Sequence, residues 1–149
     1  MLLIEYPKCS TCQKAKKYLV SKKIAFETRN IVEEKLNQKE LHRLIQKSGK
    51  DINRFFNTSG LKYRELKLKD KIQTMSYEEK LQILSTDGML LKRPLLELDD
   101  IVLIGFKEIE WNKIKECNYK MYPMSRTFWK KDLSNHLKMI SVFNRSHLL

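Results

Sequence analysis

An α/β domain with an inserted helical lobe is the fold that this 149-residue chain predicts, on three observations. A strand, a helix and a second strand follow one another within residues 1–32, the middle of the chain is helical, and two apolar runs separated by Asp99 and Asp100 come after it. The length suffices for one hydrophobic core and makes a single domain the default. Hydrophobic residues make up 42% and charged residues 32%, a globular balance, and no stretch approaches the roughly 20 apolar residues that cross a bilayer. The opening "MLLIEYPKC" has no basic leader, long apolar run or small-residue cleavage site, so a cytoplasmic protein without a membrane span is expected.

The elements follow in order. "LLIEY" (2–6) is a short apolar run stopped by Pro7 and reads as a buried strand. Ser10 and Gln13 stand at capping-box spacing, which predicts a helix from about Thr11. Cys12, Ala15 and Leu19 then share one face, leaving Lys14, Lys16, Lys17, Lys22 and Lys23 largely to solvent. "IAFETRNIV" (24–32) alternates and is partly β-branched, a second strand, and strand, helix, strand over about thirty residues is a right-handed βαβ unit.

A helical insert is expected over about 34–88. Asn37 with Glu40 forms a second capping-box pair ahead of Leu41, Leu44 and Ile45, and Gly49 closes that helix. "FFNTSG" (55–60) is a break, "LKYRELKLKDKI" (61–72) is helix or helical turns, and Ser76 with Glu79 caps a further helix that "STDG" (85–88) ends. "LLEL" (95–98) and "IVLIGF" (101–106) read as an antiparallel hairpin, and "KEIEWNKIKE" (107–116) as a covering helix. This order fits a small sandwich of thioredoxin type. The domain is placed at 1–117, followed by an extension over 118–149 that mixes bases with Tyr119, Tyr122, Phe128 and Trp129 without a clean period.

The formal charge is +12, and residues 111–149, with 8 Lys and Arg against 2 Asp and Glu, supply half of it. Such a balance favours phosphate, nucleic acid or an acidic protein face, but more often only keeps a small protein in solution. Direct nucleic-acid binding is therefore not expected.

The chemistry concentrates in "YPKCSTCQKAKKYL". Cys9 and Cys12 are two of three cysteines, too few for a disulfide framework. Placed ahead of the first helical turn, Cys9 would meet unpaired N–H groups and the positive end of the helix dipole, which favour thiolate, the nucleophilic form. Cys12, one turn further and on the inward face, would resolve whatever forms on Cys9. The N–H groups around Ser10 and Thr11 could equally hold an oxyanion. Zinc asks for four ligands, and the remainder offers only Cys117, His42, His136 and His147 at no ligand spacing. Two inert core thiols would explain Cys12 but not Cys9.

Four segments, "YPKCSTCQKAKKYL", "FFNTSGLKYRELKLKDK", "SYEEKLQILSTDGMLLKRPL" and "IVLIGFKE", together resemble the ArsC/Spx superfamily over about residues 1–112. That group holds glutaredoxin-dependent arsenate reductases and the Spx/MgsR transcriptional regulators. The resemblance implies a thioredoxin-like core with a helical insert, a reactive thiol at Cys9 and an arginine at Arg93 that reaches the cysteine loop, where it could pair with a thiolate or an oxyanion. It implies a cis peptide bond at Pro94, beside that thiol. No cofactor and no metal are implied.

Arsenate reductases of the superfamily grip the oxyanion with three arginines, and this chain keeps one: the first falls at Asn57 and the last near Phe106, with Lys107 adjacent. Each lost charge-assisted contact is worth about 1.5–3 kcal/mol. The single-thiol reductases use external glutathione and glutaredoxin, whereas a Cys-x-x-Cys pair can close on itself as a switch. The resemblance thus carries two functions. One is an arsenate reductase-like thiol-disulfide protein served by glutaredoxin, thioredoxin or a low-molecular-weight thiol. The other is a redox-sensing transcriptional regulator that binds RNA polymerase through the C-terminal domain of its α subunit.

Overall fold

The computed structural model describes residues 1–112 and 114. The apolar runs assemble into one mixed sheet. β1 (Leu2–Glu5) has β2 (Glu27–Asn30) parallel on one side and β3 (Leu95–Glu97) antiparallel on the other, and β4 (Val102–Ile104) continues antiparallel from β3, giving the order β2-β1-β3-β4. A parallel neighbour needs a crossover; here α1 (Ser10–Ser21) provides it. This is the α/β, thioredoxin-like arrangement that the order of elements predicts.

Side-chain alternation divides the core between the two faces of the sheet. Leu3 lies opposite Leu96 and Ile4 opposite Leu95. Leu3 and Leu96 join Ala15, Tyr18 and Leu19 of α1 and Trp111 on one face, while Ile4 and Leu95 join Leu41, Leu44, Phe55, Leu84 and Leu90 on the other. Each fully buried leucine or isoleucine stabilises the fold by about 1.5–3 kcal/mol, so a one-residue slip of β1 would exchange the two sets and forfeit both.

Between β2 and β3 the chain is helical. α2 (Gln38–Ser48) starts with the reciprocal cap of Asn37 and Glu40, Glu40 N–H donating to Asn37 Oδ1 at 2.9 Å and Asn37 N–H to Glu40 Oε2 at 3.0 Å. It ends at Gly49, whose φ of 61° is left-handed. A 3₁₀ turn at Ile52–Phe55 leads to α3 (Leu61–Glu65) and α4 (Leu68–Lys71). The stretch 61–72 is thus two short helices, parted at Lys67, whose φ is 50°. α5 (Tyr77–Thr86) carries the second reciprocal cap, Ser76 with Glu79. The ends of the insert meet again where Asn57 N–H donates to Leu90 O at 2.7 Å and Lys92 N–H to Phe55 O at 2.6 Å. The chain is thereby delivered to Arg93 at a fixed place beside β1.

Several boundaries differ from expectation. The second strand is confined to Glu27–Asn30, although Ile24 and Phe26 still pack with Leu19. The covering helix α6 is described over Glu108–Asn112, with Trp111 buried, and residues 113, 115 and 116 of its expected span lie outside the described residues. Helix α1 begins at Ser10 with Cys9 as its N-cap, so the Ser10–Gln13 capping box does not form; the Gln13 amide instead donates to Pro7 O at 2.6 Å. The extension 118–149, with Tyr119, Tyr122, Phe128 and Trp129, lies outside the described residues, as does Cys117. No helix among the described residues is long and apolar enough to cross a membrane.

Candidate active site

The loop between β1 and α1 is short and held at both ends. Cys9 N–H donates to Tyr6 O at 2.9 Å, Gln13 N–H to Cys9 O at 3.0 Å, and the Gln13 side chain returns to Pro7. Cys9 therefore stands at the mouth of α1 with extended backbone, φ −86° and ψ 122°, and makes no conventional side-chain cap bond. Its sulfur takes the place of the usual oxygen over the unsatisfied N–H groups of the first turn.

The electrostatics favour anionic sulfur at Cys9. Burial alone would push this thiol up; the N–H of Cys12, the Cys12 thiol, the N–H of Thr11 and the Arg93 guanidinium outweigh burial and hold Cys9 below the ordinary thiol value. Cys12 is fully buried. Burial pushes its thiol up to about 12, opposed by the Tyr6 N–H and reinforced by the Cys9 sulfur and by the charge of Glu5. Both cysteines are free thiols, and each acts on the ionisation of the other. The arrangement sets a partly exposed thiol, held below its ordinary value, against a buried one that is pushed above it.

Arg93 approaches from the segment before β3. The Arg93–Pro94 peptide bond is cis. Its guanidinium lies over the Tyr6 ring, 5.4 Å from the centroid, and Nη1 donates to Met89 O at 3.3 Å. Its Nε is buried without a hydrogen-bond partner among the described residues. Arg93 thus joins the cysteine loop with donor capacity left over, as an anion site requires. Ser10 is exposed at the head of α1 and Thr11 half-buried behind it.

The two positions where the superfamily's other arginines fall do different work here. Phe106 packs edge-on against Trp111 with centroids 4.9 Å apart and against Tyr18 at 5.5 Å. Lys107 pairs with Glu110 at 3.0 Å. Asn57 is fastened by its backbone to Leu90 and accepts from Ser59 Oγ at 3.2 Å. Among the described residues no three His, Cys, Asp or Glu side chains converge as a metal site would need.

Sequence reasoning missed Glu5. It reads as part of an apolar strand, yet it is a carboxylate, 3% exposed, that forms an ion pair with Lys16. Lys16, expected in solvent, is half-buried for that reason. A lone acid in an apolar run, four residues before a cysteine, is the signal that would have found it.

Residues 4–114 match the ArsC family. The chain belongs to the ArsC family. Protein YusI of Bacillus subtilis is 48% identical over 108 residues, covering 72% of this chain and 92% of YusI. The regulatory protein MgsR of the same organism is 28% identical over 111 residues, covering 74% and 86%. Among solved structures, an ArsC family related protein from Bacteroides fragilis superposes with a TM-score of 0.74 at 48% identity, over 76% of this chain and 95% of that one. ArsC family membership thus accounts for residues 4–114, which contain Cys9, Cys12 and Arg93.

Proposed function

We propose that this chain is a cytoplasmic thiol-disulfide redox protein of the arsenate reductase-like type. Cys9 acts as the thiolate nucleophile, Cys12 as the resolving thiol and Arg93 as the cation that steadies anionic sulfur or a bound oxyanion, with the N–H groups around Ser10 and Thr11 as further donors. The observation that carries the reading is the sulfur of Cys9 at the N-cap of α1, facing the N–H groups of Cys12 and Thr11, the Cys12 thiol and the Arg93 guanidinium.

The chemistry runs in two displacements. Cys9 thiolate attacks one sulfur of a substrate disulfide, forming a mixed disulfide and expelling a thiolate that takes a proton from water. Cys12 then gives up its proton and attacks Cys9 Sγ, closing the Cys9–Cys12 bond and releasing the second thiol. A glutaredoxin, thioredoxin or small thiol returns two electrons and two protons. Arsenate would enter at the same anion site, reached by one arginine only, since Phe106 is committed to the aromatic cluster and Lys107 to Glu110. The test is turnover of a small disulfide and of arsenate with glutathione and glutaredoxin. Disulfide exchange that disappears in Cys9→Ser, with arsenate reduction slow or absent, is the expected result; no exchange in the wild type would refute the reading.

A second reading rests on the similarity to MgsR, a regulatory protein. Here the pair senses oxidants and the chain binds the C-terminal domain of the RNA polymerase α subunit. Capture of that domain before and after peroxide separates the readings, because a regulator changes its binding with oxidation and an enzyme does not bind at all.

A further inference from the structure

Tyr6 has no part in the two displacements above, yet it touches both the thiol loop and the cation of the site. It follows β1 directly, on the same side as Leu2 and Ile4 by the two-residue period of a strand, and packs half-buried against the core cluster that holds Ile4, Leu90 and Leu91. The Arg93 guanidinium lies over its ring, 5.4 Å from the centroid. At the other end of the residue, the Tyr6 carbonyl accepts from Cys9 N–H at 2.9 Å. The carbonyl would hold Cys9 with any side chain attached; only an aromatic ring can hold the guanidinium in this way.

Arg93 needs such a hold. Its bond to Met89 O is long, 3.3 Å, its Nε is buried with no hydrogen-bond partner, and no carboxylate pairs with it among the described residues. A carboxylate would consume the N–H donors that an anion requires. An aromatic face leaves them free, because it attracts the cation through the ring rather than through a hydrogen bond. The cation held there is one of the groups that keep Cys9 below the ordinary thiol value.

We propose that Tyr6 is the positioning residue of Arg93, whose ring holds the guanidinium at the cysteine loop without using up its N–H donors. The inference deepens the redox reading of Cys9 and rests on it for the use to which the held cation is put.

The experiment follows iodoacetamide alkylation of Cys9 against pH in the full chain, with the modified residue located by mass spectrometry. Tyr6→Leu should slow the reaction at pH 7 by about threefold, the size of a partly exposed cation–π contact, and move the profile to higher pH. Tyr6→Phe should leave both where they are. Tyr6→Met, which also lacks a ring, takes the place of Tyr6→Leu if that variant does not fold. The double variant Tyr6→Leu/Arg93→Ala should react no more slowly than Arg93→Ala, because a residue that acts through Arg93 has nothing left to act on. Phenylglyoxal labelling of Arg93 in the same preparations should speed up in Tyr6→Leu and not in Tyr6→Phe. A merely structural ring would lower the melting temperature and leave the pH profile and the labelling unmoved. The labelling does not depend on the state of Cys9, so an ordinary thiol in the wild type would refute the nucleophile reading while the hold on Arg93 is still decided. Unmoved Arg93 labelling in the folded variant overturns the proposal, as does an unmoved profile where wild-type Cys9 is acidic, or equal slowing by Tyr6→Leu with and without Arg93.

Discussion

Cys9 caps α1 from outside the helix while Cys12, one turn further on, is buried in the core, and the inner thiol helps to hold the outer sulfur toward its charged form. The two thiols are therefore driven apart, Cys9 below and Cys12 above the ordinary value. On the redox reading that separation assigns the attack to Cys9, and it follows from Cys9 sitting outside the helix and Cys12 inside the core.

Alkylation measures the first consequence. Cys9 should react with iodoacetamide at pH values where a free thiol is largely protonated, because its thiolate is populated there. Arg93→Ala removes one of four stabilising partners, so the rate profile should move to higher pH and the rate at pH 7 fall several-fold. Cys12→Ser keeps a donor beside Cys9 and should move the profile less than Cys12→Ala. A profile indifferent to both substitutions would mean that neither group touches the reactive sulfur.

Cys12 makes the second prediction through linkage. Its thiol is raised in the folded state from 9.0 to about 12, so the folded protein holds this proton more tightly than the unfolded chain. Its contribution is fully present below pH 9 and is lost as pH rises from 9 toward 12. Tyr18 and Tyr77 are also raised by burial and act with the same sign, so the comparison must isolate the thiol. Urea unfolding of Cys9→Ser should weaken more steeply across that window than Cys9→Ser/Cys12→Ala, which lacks it.

The fold was legible in the chain because its signals are local. Leu3 and Ile4 announce two faces of a strand, and Asn37–Glu40 and Ser76–Glu79 announce helix starts that form as spaced. The Ser10–Gln13 pair misled for a physical reason: it has the right spacing, but Cys9 already occupies the cap and Gln13 is drawn back to Pro7. The cysteine pair was visible from residue type and spacing. Arg93 could be assigned only by resemblance, since nothing near it in sequence says that it meets Tyr6 and Cys9. The Glu5–Lys16 pair joins a strand to the helix above it, and neither a strand pattern nor a helix pattern contains that information.

Gly88 supports a third prediction. It heads the segment that returns the chain toward β3, and a Cβ built there would sit 2.1 Å from Ile31 O and 2.8 Å from Ile31 C. Those atoms are main chain at the end of β2 and cannot turn aside. Gly88→Ala should cost about 3 kcal/mol or more through forced backbone displacement. Gly49→Ala is the contrast: its Cβ meets nothing within 4 Å, but φ is +61°, so the expected cost is the left-handed penalty of about 1–2 kcal/mol. Thermal melts of the two variants should therefore rank Gly88→Ala as the more damaging.

Arg29 makes the fourth. It is the last but one residue of β2 and ties the following loop to α2: Nη1 donates to Glu40 Oε1 at 2.7 Å, Nη2 to Lys35 O at 3.0 Å and Nε to Glu34 O at 3.1 Å. The hydrogen bond from Arg29 is the largest influence on Glu40 and, against burial and with help from the Asn37 N–H, holds its carboxyl below the ordinary value. The sign follows. This stabilisation is present above the ordinary value of 4.5 and is lost as pH falls through the lowered folded value. Both side chains are partly solvated, 20% and 29% exposed, and the two carbonyls left behind by a substitution can take water, so Arg29→Met should cost about 1–2 kcal/mol at pH 7, below the sum of its hydrogen bonds. The deficit should shrink in acid as Glu40 becomes protonated in the wild type. A deficit of the same size at pH 7 and in strong acid would assign the loss to packing of the arginine stem rather than to its charge.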